Sequence, residues 1–178
     1  MKKSILFILF LFLVSCFSTR KHKEYVNDFN TLTKEEYFDK YYTLDISQKE
    51  YYTNIKINAA YILFRPNDSF QIYVFSDDGY VYSSILLRGD DLNKLSNIKL
   101  YGARIFSISN KTIKLEKVVS NPEGVFSYIE EGIIKKDTIF ITKAYPSKNN
   151  KKTTKLSDKL ILAPHIKVYK FGDYFVAN

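Results

Sequence analysis

From Ile55 to the end of the chain, apolar residues recur with a period of two, and short clusters of turn residues interrupt them at regular intervals. No repeated helical stretch of about 10–15 residues lies between these runs, so parallel βαβ units are excluded and antiparallel sheet remains. Ile55 to Phe64 is one long apolar, β-branched and aromatic run, ended by the turn cluster Arg65-Pro66-Asn67-Asp68-Ser69. Phe70 to Phe75 and Tyr80 to Leu87 flank Asp78-Gly79, a favoured dipeptide for a two-residue hairpin loop. That register sets Phe70 opposite Leu87, Ile72 opposite Ile85 and Val74 opposite Ser83, and gathers Tyr73, Phe75, Tyr80 and Tyr82 on the other face.

Two more hairpins follow by the same reasoning. With Asn110-Lys111 as the loop, Ile108 faces Ile113 and Phe106 faces Leu115, while Ser107, Lys114 and Glu116 point away from that apolar face. A loop at Lys136-Asp137 pairs Ile134 with Ile139, Ile133 with Phe140 and Glu130 with Lys143, a cross-strand ion pair. Gly132 within it marks a bulge or a close backbone approach. Gly89-Asp90-Asp91-Leu92-Asn93-Lys94 reads as a loop or one helical turn, Ser120 to Gly124 as a turn, and the lysine-rich Ser147 to Lys155 as an exposed loop. Leu160 to Leu162 and Ile166 to Phe171 supply one or two closing strands, with Phe175 packed near the end.

The expected fold is all-β: an antiparallel meander of eight or nine strands forming a barrel or a curled sheet, with a short N-terminal helix. That helix is predicted over Lys34 to Tyr42, because Thr33-Lys34-Glu35-Glu36 is a capping box and Phe38, Tyr41 and Tyr42 share one side. The order strand, hairpin, Gly-x-x-x-Phe-x-Ile-x-Asn-Lys-x-Ile-x-Leu (Gly102 to Leu115) and Glu-Gly-Ile-Ile-x-x-Asp-Thr-Ile (Glu131 to Ile139) resembles the small lipocalin-like lipoproteins of Gram-negative bacteria, over roughly residues 50–143. The resemblance implies a lipocalin-like barrel. The Gly-x-Trp opening of true lipocalins is absent, because the chain has no Trp.

The start of the chain concerns location. Met1-Lys2-Lys3 is a short cationic segment, Ile5 to Val14 is unbroken apolar, and Leu13-Val14-Ser15-Cys16 closes it. This has the three parts of a secretory signal and is well short of the roughly 20 apolar residues that span a bilayer. Leu-Val-Ser-Cys resembles the lipobox of bacterial lipoproteins, which implies a diacylglyceryl thioether on Cys16, cleavage before it and acylation of the new amino terminus. Two other readings compete: an ordinary signal cut after Ser18, and an uncleaved anchor. Residues 1–15 are then a signal peptide, 16–32 a lipid-anchored flexible tether, and 33–178 a single β domain. In the tether, Arg20-Lys21-His22-Lys23 either rests on anionic headgroups or belongs to a plain spacer.

Cys16 is the one cysteine, so no intramolecular disulfide is available and the core must carry the fold. Loss of residues 1–15 removes Lys2 and Lys3 and lowers the formal charge from +8 to +6. A solvated basic surface accounts for that balance, and export argues against nucleic acid as a partner. The chain has only two histidines, His22 and His165, and lacks His-x-x-x-His, Cys-x-x-Cys, the P-loop and Gly-x-Ser-x-Gly. No metal, cofactor or catalytic residue is therefore assigned. Of the acid pairs, Glu130-Glu131 point to opposite faces of a strand, Asp77-Asp78 sit at a turn, and Asp90-Asp91 suit a loop.

These features point to a lipid-anchored protein of the cell envelope, in the outer membrane of a Gram-negative bacterium and facing the periplasm or the surface. It is expected to act as a non-enzymatic binding or interaction module. Its partner is a small apolar ligand inside the barrel or another envelope protein; Tyr73, Phe75, Tyr80 and Tyr82 form an aromatic binding patch if their face is left uncovered, and otherwise complete the core or cover an edge. The alternative is an envelope glycan- or lipid-acting hydrolase that uses carboxylates.

Overall fold

The structure is a computed structural model and describes residues 19–45, 53–89, 98–172 and 174–177. The chain divides into two compact units: the described residues up to Tyr42 together with Val118–Ser127, and Thr43–Lys117 together with Tyr128–Asn178.

In the first unit, helix α1 covers residues 19–31 and helix α2 covers Lys34–Tyr41. The capping box is formed as read: Glu36 N donates to Thr33 Oγ1 at 3.3 Å and Thr33 N donates to Glu36 Oε2 at 2.9 Å. Within the stretch 16–32 expected as a tether, residues 19–31 are helical. Tyr25, Asp28 and Phe29 share one side of α1 at helical spacing. Tyr25 packs on Tyr37 and Tyr41 with ring centroids 5.5 and 4.9 Å apart, and Phe29 packs on Tyr37 at 5.6 Å. Asp28 Oδ2 accepts from Lys40 Nζ and from the Tyr41 hydroxyl, both at 2.6 Å. Those bonds hold the Asp28 carboxyl below its usual range, while burial of the phenol and the bond to Asp28 push Tyr41 up. The apolar side of α1 is stabilised by α2, a partner that its own segment does not contain.

The second unit holds a closed barrel, apart from the ends of β6 and β7 within Val118–Ser127, which are counted with the first. Its strands are β1 (Ala60–Arg65), β2 (Ser69–Phe75), β3 (Tyr80–Ser83), β5 (Ile98–Ser109), β6 (Thr112–Asn121), β7 (Gly124–Lys135), β8 (Thr138–Pro146) and β9 (Thr154–Leu162). Each pairs antiparallel with the next in this order, and β9 closes on β1. The expected all-β meander is therefore an eight-stranded closed barrel, which leaves none of these strands with a free edge. The two-residue strand β4 (Leu87–Arg88) pairs with β2, and the C-terminal hairpin β10 (Val168–Phe171) and β11 (Tyr174–Ala177) extends the sheet from β5. The first strand begins at Ala60 rather than Ile55, and residues 53–54 form a short 3₁₀ turn.

The registers of the second and third hairpins hold at their loops: Ile108↔Ile113, Phe106↔Leu115, Ile134↔Ile139 and Ile133↔Phe140. The first hairpin differs by one residue, with Val74 opposite Tyr82 and Phe75 opposite Val81. Its loop is Asp77-Asp78-Gly79, closed by Ser76 N donating to Tyr80 O at 2.9 Å, and Gly79 takes φ +85°, the left-handed position of a three-residue hairpin loop. Phe70↔Leu87 nevertheless forms as expected, because Ser84-Ile85-Leu86 leave the strand and absorb the extra residue.

Tyr61, Leu63, Tyr73, Phe75, Val81, Phe106, Ile108, Ile113, Leu115, Ile134, Ile139, Ile141 and Leu160 form one buried cluster inside the barrel. At about 1.5–3 kcal/mol for each large apolar side chain removed from water, such a core sustains a fold without a disulfide. On the outer side of β1, β2 and β5, Ile62, Phe70, Ile72, Val74 and Leu100 are buried as well, and the Phe175 ring lies 4.9 Å from that of Tyr82.

Candidate functional site

The alternation that directs apolar side chains into the barrel continues, toward the end of the β1–β2 turn, into charged ones. Arg65 follows Tyr61 and Leu63 on β1, Arg104 precedes Phe106 on β5, Lys117 follows Leu115 on β6, and Asp158 precedes Leu160 on β9. Arg104 and Lys117 are direct cross-strand partners, a like-charge pair that on its own repels. Glu130 of β7 resolves it, accepting from Arg104 Nη1 at 2.8 Å and from Lys117 Nζ at 2.6 Å. Strand β6 separates β5 from β7, so the Arg104–Glu130 contact crosses the interior. Arg65 pairs with Asp158 at 2.8 Å, and the Arg104 guanidinium lies 5.2 Å from the Tyr73 ring centroid.

Burial pushes the Glu130 carboxyl up, but Arg104, Lys117 and the more distant Arg65 outweigh it and hold the group below the usual carboxylate range. The layer carries three cations against two carboxylates. Its chemistry is that of a fixed, ionised, slightly cationic network.

The expected Glu130–Lys143 pair is corrected. A register shift between Glu131 and Gly132 sets Lys143 opposite Glu131, whose Oε1 it meets at 2.9 Å. Gly132 is the cause, as read: a Cβ there would lie 2.3 Å from the Phe140 carbonyl oxygen, a contact only glycine allows. The extra residue is Thr142 of β8, so Glu130 keeps the inward face of Ile134 and sits opposite Ala144. Glu131 also accepts from the Tyr145 hydroxyl at 2.9 Å; burial of Glu131 opposes these bonds but loses to them, and its carboxyl is lowered. Tyr145, half-buried and bonded to that carboxylate, is pushed up to about 12.

Glu116 is also not on a solvent face. It is fully buried, with its carboxylate accepting from Thr43 N and Leu44 N, both at 2.7 Å, and from Thr43 Oγ1 at 2.9 Å. It fastens the chain ahead of the barrel to β6.

The four aromatic side chains of the cluster across the first hairpin lie in the core. Tyr73, Phe75, Tyr80 and Tyr82 are 1%, 0%, 5% and 0% exposed. Alternation along β2 carries Tyr73 and Phe75 into the barrel, and the one-residue change at the 77–79 loop moves Tyr82, opposite Val74, to the covered outer side. Inside, the Tyr61, Phe75 and Phe106 rings meet edge to face at 5.3 and 5.4 Å.

Cys16 and Asp90-Asp91 lie outside the described residues. His22 Nδ1 lies 2.7 Å from Ser120 Oγ, and His165 is exposed. Among the described residues, no three His, Cys, Asp or Glu side chains gather as a cation site, and no helix is long and apolar enough to cross a membrane. No protein-family model, curated protein or solved structure matches the chain.

The interior network was not named from sequence, although its signal was present. Arg65, Arg104, Lys117 and Asp158 each occupy a position two residues from a core residue on the same strand.

Proposed function

We infer that the chain is an exported bacterial lipoprotein, held in the outer membrane of a Gram-negative bacterium through lipid on Cys16, with its barrel acting as a non-enzymatic binding module. The observation that supports a binding module over a hydrolase is the neutralisation of Glu130 by Arg104 and Lys117. A glycosidase working through two carboxylates needs one of them protonated near neutral pH, and so a raised pKa. Glu130 and Glu131 are both shifted the other way and sit on opposite faces of β7. The charged layer of Arg65, Arg104, Lys117, Glu130 and Asp158, with its excess of one cation, favours a polar or anionic partner over a small apolar one.

The test is labelled palmitate fed to cells that express the full chain or its Cys16→Ser variant, with envelope fractions assayed for turnover of envelope glycans and lipids. Label on the wild-type chain and none on the variant is the expected result. Equal label on both refutes the anchor. A hydrolytic activity abolished by a folded Glu130→Gln variant refutes the module and restores the hydrolase.

A further inference from the structure

At the apolar end of the barrel, three segments converge and are tied together. Asn54 Nδ2 donates to Asn110 O at 2.9 Å, and Ile134 N donates to Lys111 O at 2.8 Å. They surround an open depression of about 640 Å³, rimmed by Lys56, Lys111, Lys135 and Lys136 and floored by Ile55 and Ile134. Asp137 is its one carboxylate, against four ammonium groups. All four lysines are exposed, and none pairs with an acid among the described residues.

The outer face beside this depression is apolar. Ile133, which also lines the depression, is 42% exposed, and Ile161 on β9 is 41% exposed. Ile133 belongs to the cross-strand row Ile133–Phe140–Lys159, two residues along from Ile161, with Lys135 Nζ and Lys159 Nζ each 5.7 Å from the Phe140 ring centroid. Lysine stems laid along apolar side chains, with their heads in water, are the arrangement that suits a bilayer interface.

We propose that this end of the barrel is a docking site for an anionic bilayer surface, with lipid phosphate groups seated among Lys56, Lys111, Lys135 and Lys136 and Ile133 and Ile161 against the headgroup–acyl boundary. A free phosphate ion would use the lysines but has no use for exposed isoleucines; a lipid surface uses both. The inference rests on the binding-module reading and is independent of an anchor at Cys16. Attraction of each lysine to an anionic surface corresponds to about a fivefold change in affinity, weakened by salt.

The experiment is lysine acetylation footprinting of the full chain, read residue by residue by mass spectrometry. It compares phosphatidylcholine vesicles, vesicles that also contain phosphatidylglycerol, and inorganic phosphate without lipid. The N-terminus is the same throughout, so a failed anchor does not mimic a failed site. Lys148, Lys151 and Lys152, exposed on the β8–β9 loop at the opposite end, are the internal reference. Protection of Lys56, Lys111, Lys135 and Lys136 only on phosphatidylglycerol vesicles, reversed by high salt, is the expected result. A Lys111→Gln/Lys136→Gln variant, altered only at exposed loop positions, should lose about 25-fold in affinity for those vesicles. No protection, equal protection on neutral vesicles, or protection by phosphate alone overturns the proposal.

Discussion

Replacing Glu130 by glutamine keeps the shape of the side chain and removes the charge that separates Arg104 from Lys117. The two cations are direct cross-strand partners, with side chains only 14% and 33% exposed. Loss of one member of a buried pair costs about 3–5 kcal/mol, because the remaining charge stays buried and unpaired. The third-exposed Lys117 recovers some hydration, so we expect about 3 kcal/mol at neutral pH. In a chain of this size that lowers Tm by about 6–12 °C. The pH dependence follows from linkage. The folded-state carboxyl lies below its ordinary 4.5, so its contribution is complete above that value and disappears as pH falls through the folded value. Urea unfolding of wild type and Glu130→Gln should therefore differ by about 3 kcal/mol at neutral pH and converge in acid below the ordinary carboxylate range. A cycle with Lys117→Met should give a coupling of about 1–3 kcal/mol. A difference under about 0.5 kcal/mol, or one that does not change with pH, would refute the assignment of Glu130 as the counter-ion of this layer.

The other expectations concern single contacts. Gly132→Ala places a Cβ against the Phe140 carbonyl and should cost about 3 kcal/mol in denaturant unfolding, with loss of the Lys143–Glu131 pairing. Glu116→Ala leaves the Thr43 and Leu44 amides without their acceptor, and hydrogen exchange at those two amides should accelerate well before the barrel strands are affected. Thr33→Ala removes the cap of α2 at about 1 kcal/mol, read as earlier loss of helical circular dichroism with the β signal unchanged.

Some of this molecule was legible in short stretches of sequence. The capping box at Thr33 needs only four residues, and the β5–β6 and β7–β8 loops lie between strands whose alternation accepts one register at the loop. The β2–β3 hairpin was not legible in this way. Both faces of β2 are buried, so Phe70, Ile72, Tyr73, Val74 and Phe75 offer no polar row to choose between a two- and a three-residue loop. That one residue decided that Tyr80 and Tyr82 lie with Ile72 and Val74 rather than with Tyr73 and Phe75.

Local pattern determined the strand order, the antiparallel meander and the place of the Gly132 bulge, because period-two alternation and turn chemistry act over a few residues. Closure of the barrel decided what the charged positions do. Arg104, Lys117 and Glu130 lie on three successive strands, and only a curved sheet directs their side chains to one interior point where the carboxylate offsets both cations. The same holds for α1, whose Tyr25 and Phe29 become an apolar face only against Tyr37 and Tyr41. Charge and ring contacts between distant segments are set by tertiary geometry, since Coulomb and dispersion energies depend on separation in space and not along the chain.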